Sequence, residues 1–548
     1  MAFTLIQAGS SLYAVNSDGV ASSALTLPPG VTLAYNLRPR FCKFEMGLQA
    51  YAIVVNTPTV PISVDATGIT RTIDPPGPLT APTVASAGAG VLTGGYLYLF
   101  TYLVEDTNGN TIAESDYSPN MAAVFNANNN ETTVTFTASP TYGVTGRRLY
   151  RTVQNGGVYF PLVDIADNTT TTYTDNNTDA SLSTIAGPSL GPIPDLTLVC
   201  EFAGRLWGVD RQDVDHLRYT EAGTMSGWSL LDTLAIPHIG SDAAGITALI
   251  PRRDGLGVTR RDIFVQVTGS DRTNFKPTTV NGGENVGCVS QESVVVFNDV
   301  AYFLFRDGVY QWDNTGIKSL TDGKIRTWFT SDIVFNRSMF WQSFAQFDPV
   351  NKRYRLFLAS TGSAVINRWI EYDLSTGTWW GPHQTTAFQL QSAVTIAGRN
   401  QQPYAMIGDS TGYLSKDQSN KNDWGQPINF SVITKSLSSI RVPVLTGYAT
   451  YNEPDKEKYF GELTMFGTYE TDGDGGQGSH QLLITPTSGD ANAVPGPSFS
   501  YDMSQGRQRL PRLGTGKFLK LEFDHNVVDE DVVLFGFEVN PVNIIGRR

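Results

Sequence analysis

One local pattern recurs along this chain and limits what it can fold into. An alternating run of apolar and polar residues ends in a Gly, Asn or Asp turn, and a second alternating run returns. It appears in SLYAVNSDG (11–19) and QAYAIVVNTPTVPISVDATG (49–68). It recurs in GRLWGVDRQDVDHLRYTEAG (204–223), RDIFVQVTGSD (261–271), VAYFLFRDGVYQWDNTG (300–316), KRYRLFLASTG (352–362) and PYAMIGDSTGYLSKD (403–417). Period-two alternation buries one face of a strand, and such turns reverse the chain, so each segment reads as an antiparallel hairpin. The starts at 204, 261, 300, 352 and 403 are separated by 57, 39, 52 and 51 residues. That spacing scatters around the roughly 40–50 residues of a four-stranded propeller blade. Radial repetition is one of the few ways to hide the edges of so many short strands.

The expectation is an all-β protein: a β-propeller core of six or seven blades, with an inserted Ig/FnIII-like β-sandwich and a C-terminal β-sandwich layer. Consecutive β-sandwiches are the second choice. Charged residues make up only 17% of the chain, against 53 Gly and 29 Pro, which suits turns and strands better than solvated helices. One short helix is expected within 320–332, starting near Thr321 or Asp322. With 548 residues, two or three domains are expected.

Two changes of rhythm set the boundaries. The Pro/Gly/Ala-rich stretches 72–95 and 186–195 read as linkers. Between them lie six or seven short strands, the count of an immunoglobulin-like or fibronectin-III-like sandwich. After about residue 425 the strands lengthen. The reading is therefore 1–75 as the N-terminal part of the propeller, 76–190 as the inserted sandwich, 191–425 as the main propeller and 426–548 as the C-terminal sandwich layer.

The formal net charge of −13 excludes tight phosphate binding as a main task. Cys42, Cys200 and Cys288 are odd in number and far apart, so neither a disulfide framework nor a cysteine zinc site is expected. The N-terminus has neither the basic segment nor the apolar core of a signal peptide, and no run reaches the roughly 18 apolar residues of a membrane helix. A soluble protein made in a cytoplasm is the expectation.

Candidate sites are few. In NRWIEYDLSTGTWWGP (367–382), a strand would place Ile370, Tyr372 and Leu374 on one face and Trp369, Glu371 and Asp373 on the other. Glu371 and Asp373 would stand about 6.6 Å apart, near the separation used by inverting glycosidases. DLSTGTWW also resembles a kelch-type blade ending, and architecture is the favoured reading. The oxygen-rich DTNGN (106–110) and DGDGG (472–476) lack the later Glu of a calcium loop; the first reads as a turn and the second as a flexible tip. His216, His238, His383, His480 and His525 are isolated, and no nucleophile elbow, P-loop or dinucleotide fingerprint occurs. The basic clusters 251–261 and 507–512 are expected to pair with acidic loops of neighbouring subunits. The sequons at Asn130, Asn168 and Asn176 carry no meaning without secretion. No catalytic residue, metal or cofactor is expected.

Several segments taken in order carry a resemblance. LTGGYLYLFTYLVEDTNGNTIAESDYSP and VTGRRLYRTVQNGGVYFPLVDIADNTTTTYTDN resemble a module of tailed-bacteriophage tail proteins. GRLWGVDRQDVDHLRYTEAGTMSGW, ITALIPRRDGLGVTRRDIFVQVTGSD and GCVSQESVVVFNDVAYFLFRDGVYQWD are similar to the propeller region of such proteins. GKFLKLEFDHNVVDEDVVLFGFEVNPV is similar to their C-terminal layer. The resemblance runs from about residue 72 onward and is greatest to the tail nozzle, or tail tubular protein B, of short-tailed phages.

That resemblance implies a structural virion protein without enzymatic activity. It would form a cyclic homo-oligomer, a hexamer, below the portal and the adaptor or head-to-tail connector ring. Genomic DNA would pass through the lumen without specific binding, and tail fibres or tailspikes would attach outside. The alternatives are a glycan-binding or glycan-hydrolysing β-propeller protein, and a minor tail or baseplate protein of a long-tailed phage.

Overall fold

The computed structural model describes residues 3–34, 36–73, 75–119, 122–140, 143–188, 190–238, 245–385, 389–398 and 403–416. Beyond these it describes 422–423, 426–427, 430–433, 439–444, 447–452, 458–471, 480–489, 493–525 and 530–544. Strands dominate, and the longest α-helix among the described residues is the single turn Thr327–Thr330. The chain divides into two compact units: Met1–Trp380 with Leu390–Leu414, and Gly381–Gln389 with Ser415–Arg548.

The first unit is a succession of antiparallel meanders. The first sheet comprises Arg40–Met46, Gln49–Val55, Ile62–Asp65 and Thr70–Thr72. The second comprises Leu196–Phe202, Arg205–Asp210, His216–Tyr219 and Thr233–Ala235, and the third Ala248–Arg252, Gly255–Thr259, Ile263–Thr268 and Lys276–Glu284. The fourth comprises Val295–Phe297, Val300–Phe305, Gly308–Asp313 and Gly316–Ser319, and the fifth Phe344–Asp348, Arg353–Ala359, Ile366–Asp373 and Thr378–Gln384. A sixth group, Leu390–Ala397, Pro403–Asp409 and Leu414–Lys416, is joined to the fifth at one bridge, Ile366 to Leu390. The hairpin Thr4–Ala8 and Ser11–Val15 packs on this sixth group through Val15, Ile396 and Met406, and Tyr404 donates to the Ser17 carbonyl at 3.0 Å.

From the second sheet onward the leading strands begin at Leu196, Ala248, Val295, Phe344 and Leu390, at intervals of 52, 47, 49 and 46 residues. The leading strands of the first, second and third sheets lie side by side, as do those of the fourth, fifth and sixth. Their alternation is the cause: in LTLVCEF, Leu196, Leu198 and Cys200 are buried while the residues between them are half-buried. The space between sheets is filled by large side chains. Gly257 illustrates how tightly, since a Cβ there would lie 2.6 Å from the Trp312 ring.

Between the first and second sheets, residues 83–175 build one six-stranded sheet around the long strands Thr83–Glu105 and Ala122–Thr135. Breaks in register between Ser86 and Gly94 let these strands curl, so that Val84, Val134 and Tyr173 share a core with Tyr98, Phe100 and Leu149. Residues 83–95 are therefore strand, not linker. Their small side chains permit a close crossing, since a Cβ on Gly90 would sit 2.5 Å from the Glu131 amide nitrogen. This segment is anchored in the first unit. Val104, Ile112 and Ala113 join Ile53 of the first sheet and Leu196, Leu206 and Trp228 of the second in one cluster.

The expected helix is shorter and later than 320–332 suggested. Thr321 has its carbonyl taken by the amides of Lys324, Ile325 and Arg326, and helical geometry begins only at Thr327.

In the second unit, Phe430–Ile433, Phe518–His525, Gln481–Gly489 and Phe499–Asp502 form one antiparallel sheet. Arg507–Gly516, Lys458–Thr471 and Glu530–Ile544 form another. The two share a core that includes Leu463, Met465, Leu482, Ile484, Leu521 and Phe523.

Candidate functional site

A polar hub in the first unit reaches all six sheets. Arg40, at the start of the first sheet, donates from Nε to Glu292 Oε1 at 2.5 Å and from Nη1 to the Thr197 carbonyl of the second sheet at 2.9 Å. Gln291 pairs both its amide groups with the Leu249 backbone of the third sheet, at 2.7 and 3.0 Å. The turn Gln291–Ser293, which leads into the fourth sheet, supplies both Gln291 and Glu292. Ser290 Oγ donates to the Ser343 carbonyl, just before the fifth sheet, at 2.6 Å. Arg38 donates to the carbonyls of Gln342 at 3.3 Å and Gln391 at 2.9 Å, and its guanidinium lies over the Phe344 ring. Gln391 belongs to the sixth sheet. Burial pushes the Glu292 carboxyl up, but Arg40 and Arg38 outweigh it and hold the group below the ordinary range.

No sequence motif announced this hub. Its members come from positions 38, 40, 197, 249, 290, 291, 292, 342, 343 and 391, which only the fold brings together.

The carboxylates nominated from sequence are occupied. Glu371 is buried and lies between Arg353 Nη1 at 2.8 Å and Arg355 Nε at 3.1 Å. Asp373 accepts the amides of Thr376 at 3.1 Å and Ser375 at 2.8 Å, which hold its carboxyl below the usual range. The expected facing of this strand is correct: Ile370, Tyr372 and Leu374 enter one core. Trp379 packs on Tyr372 and donates its indole N–H to the Leu320 carbonyl at 3.0 Å, whereas Trp380 lies under the Arg353 guanidinium. The stretch holds a sheet end together.

Asp106 folds DTNGN into a turn by accepting the amides of Asn108 and Asn110. DGDGG (472–476) lies outside the described residues. Among the described residues no three His, Cys, Asp or Glu side chains form a metal-sized group. His216 pairs with Asp213 at 2.8 Å, and His525 is buried on a strand. The sequon asparagines are engaged in turns and strand contacts: Asn168 bonds twice to the Ser139 backbone, and Asn176 accepts the Val91 amide. All three cysteines are free, and burial pushes the Cys288 thiol up to about 12.

In the basic cluster 251–261, the two buried arginines of the four are engaged within the chain. Arg252 pairs with Asp299 at 3.2 Å over the Trp312 ring, and buried Arg260 pairs with Asp215 at 2.7 Å. Their partners are in the same chain, because hairpin turns of adjacent sheets bring acids and bases together. In 507–512, Arg507 lies over Phe466.

A depression of about 630 Å³ opens where the first turns of the second, third and fourth sheets converge, with Glu201, Pro251, Arg252, Arg253, Val296 and Asp299 in its lining. The turns are held in left-handed backbone geometry, with φ of 52° at Ala203, 48° at Asn298 and 61° at Asp299. Asp299 is fixed by Arg252 and by the Arg253 amide at 3.0 Å.

No protein-family model matches the chain, and no curated protein matches its sequence. Among solved structures, it aligns with the extracellular domain of the one component system BT4673 from B. thetaiotaomicron at 7% identity and a TM-score of 0.26, covering 92% of this chain and 86% of that one. It aligns with Hsv2p of Kluyveromyces lactis at 10% identity and a TM-score of 0.20, covering 52% and 70%. With an exo-beta-1,3-galactanase from Phanerochaete chrysosporium the values are 8% and 0.16, covering 90% and 95%. At such values none of these proteins lends its activity to this chain.

Proposed function

We propose that this chain is a non-catalytic assembly protein of the tail-nozzle type of short-tailed phages. In this reading the six sheets are the blades of a six-bladed propeller, the 83–175 sheet is its inserted Ig/FnIII-like sandwich, and the second unit is the C-terminal sandwich layer. The observation that carries the reading is the neutralisation of Glu371 by Arg353 and Arg355. It removes the one carboxylate pair the sequence offers for chemistry and leaves a braced scaffold. The hub between sheets and the insert anchored by Ile112 support a rigid wedge suited to repeated contacts around a ring. Copies of the wedge, six in this reading, would surround a lumen, and the formal charge of −13 on each copy would keep DNA from adhering. The adaptor ring would bind on one side and fibres or tailspikes on the outside.

Mass photometry and negative-stain imaging of the purified chain and of disrupted virions test this. A six-fold ring with a central hole, present at a tail tip, is the expected result. A persistent monomer absent from virions would overturn the reading, and a ring of another symmetry within a baseplate would move the protein to a long-tailed phage.

A second reading, a glycan-binding propeller, is favoured by one observation, the open depression with its mixed lining. Glycan hydrolysis at Glu371 and Asp373 has no support in the geometry.

A further inference from the structure

We infer that the depression at the first turns of the second, third and fourth sheets is a binding subsite for an uncharged saccharide unit. The inference rests on the glycan-binding reading and says where such a ligand sits and of what class it is.

Charge narrows the class. The ionic groups of the lining are Glu201, Arg252, Arg253 and Asp299, two acids and two bases, in a chain whose formal charge is −13. Arg252 and Asp299 neutralise each other at 3.2 Å. That leaves the Glu201 carboxylate and the Arg253 guanidinium, whose side chains join no hydrogen bond or ion pair among the described residues. A phosphate ligand would meet Glu201, and an ammonium ligand would meet Arg253. A polyol meets neither obstacle, because each hydroxyl both donates and accepts and a carboxylate with a guanidinium supplies both complements. Pro251 and Val296 are exposed beside them and offer apolar surface to the C–H face of a sugar ring. The volume lies within the range of small-molecule sites.

The frame is also built in advance. Arg252 is stacked 4.4 Å from the Trp312 ring centroid, and Asp299 is held by two donors, so little ordering remains to be done on binding. Burial, with Glu45 nearby, pushes the Glu201 carboxyl up, and Lys43 opposes the shift.

The test is saturation-transfer NMR and calorimetry on the full chain, using methyl hexosides and short neutral oligosaccharides at millimolar concentration. Wild type is compared with Arg253→Ala and Glu201→Gln, with circular dichroism to show that both variants fold. Saturable binding by wild type that weakens at least tenfold in each variant is the expected result, since one charge-assisted hydrogen bond is worth about that factor. Binding equally strong in both variants would overturn the subsite while leaving glycan binding in place. No binding by wild type would overturn both. Ring formation is read separately and decides neither.

Discussion

Arg40 and Glu292 stand 252 positions apart in the chain and meet with Nε 2.5 Å from Oε1. The pair joins the first sheet to the turn that starts the fourth. Side chains around it reach the other four, so its contribution is to holding the six sheets to one another.

Replacing Arg40 with Ala leaves Glu292 with the Ser290 hydroxyl at 3.2 Å and, as its cation, Arg38, whose Nη1 is 3.9 Å away. Breaking a partly buried ion pair from one side costs roughly 2–4 kcal/mol. Chemical denaturation should show the first unit losing about that much, with Arg40→Lys intermediate because Lys cannot reach both Glu292 and the Thr197 carbonyl.

The same pair sets an acid limit. The Glu292 carboxyl is held below its ordinary value in the folded state, so the folded protein binds its proton less readily than the unfolded chain does. Its contribution is therefore complete above about pH 4.5 and is lost as pH falls through the folded value. Denaturation midpoints between about pH 6 and 3 should fall more steeply in wild type than in Arg40→Ala.

Glu371→Ala uncouples two arginines from their shared carboxylate and should cost roughly 2–4 kcal/mol. Asp373→Ala removes only an exposed turn acceptor and should shift the thermal midpoint far less. Neither change should create or abolish sugar hydrolysis, which a reducing-end assay would check.

Ile112 is buried where the inserted segment meets the first and second sheets. Ile112→Ala should cost roughly 2–4 kcal/mol. Limited proteolysis should then cut within 76–82 and 186–195 sooner than in wild type, because those connections are protected by docking of the segment they flank.

Cys288 is buried and its thiol is pushed up to about 12, so at pH 8 the reactive thiolate is scarce as well as shielded. A maleimide reagent should leave Cys288 unmodified in the native protein and label it fully in denaturant, with peptide mass spectrometry as the readout.

Strands with long apolar side chains ahead of a clear turn were legible from sequence even where both faces are buried, as in Val300–Phe305 and Arg353–Ala359. Gly255–Thr259 was not, because GLGVT carries two glycines, shows no alternation and is buried at every position. The eye then lands on Arg261 and the following third strand, which is why the sequence intervals read 57 and 39. The true second strands start at Arg205, Gly255, Val300, Arg353 and Pro403, at intervals of 50, 45, 53 and 50. Glu371 shows the opposite limit. Its position on the strand was legible, but its neutralisation was not, because Arg353 and Arg355 reach it through cross-strand register and not through spacing. The hub was invisible for the same reason, and so was the depression, which joins turns from three separate sheets.

The seating of the Thr4–Ala8 and Ser11–Val15 hairpin on the sixth sheet has a consequence for biosynthesis. Val15 is synthesised 375 residues before Leu390, where its packing partner begins. At roughly 5–20 residues per second, the ribosome takes about 20–75 seconds to cover that distance. During that time the hairpin rests only on the first sheet, through Leu12 with Val54, Ile62 and Val64, while Val15 lacks the sixth-sheet side chains it packs on. Burial of that second face is thus deferred until about residue 406 has emerged, and a chain interrupted earlier would leave it exposed to quality-control proteases.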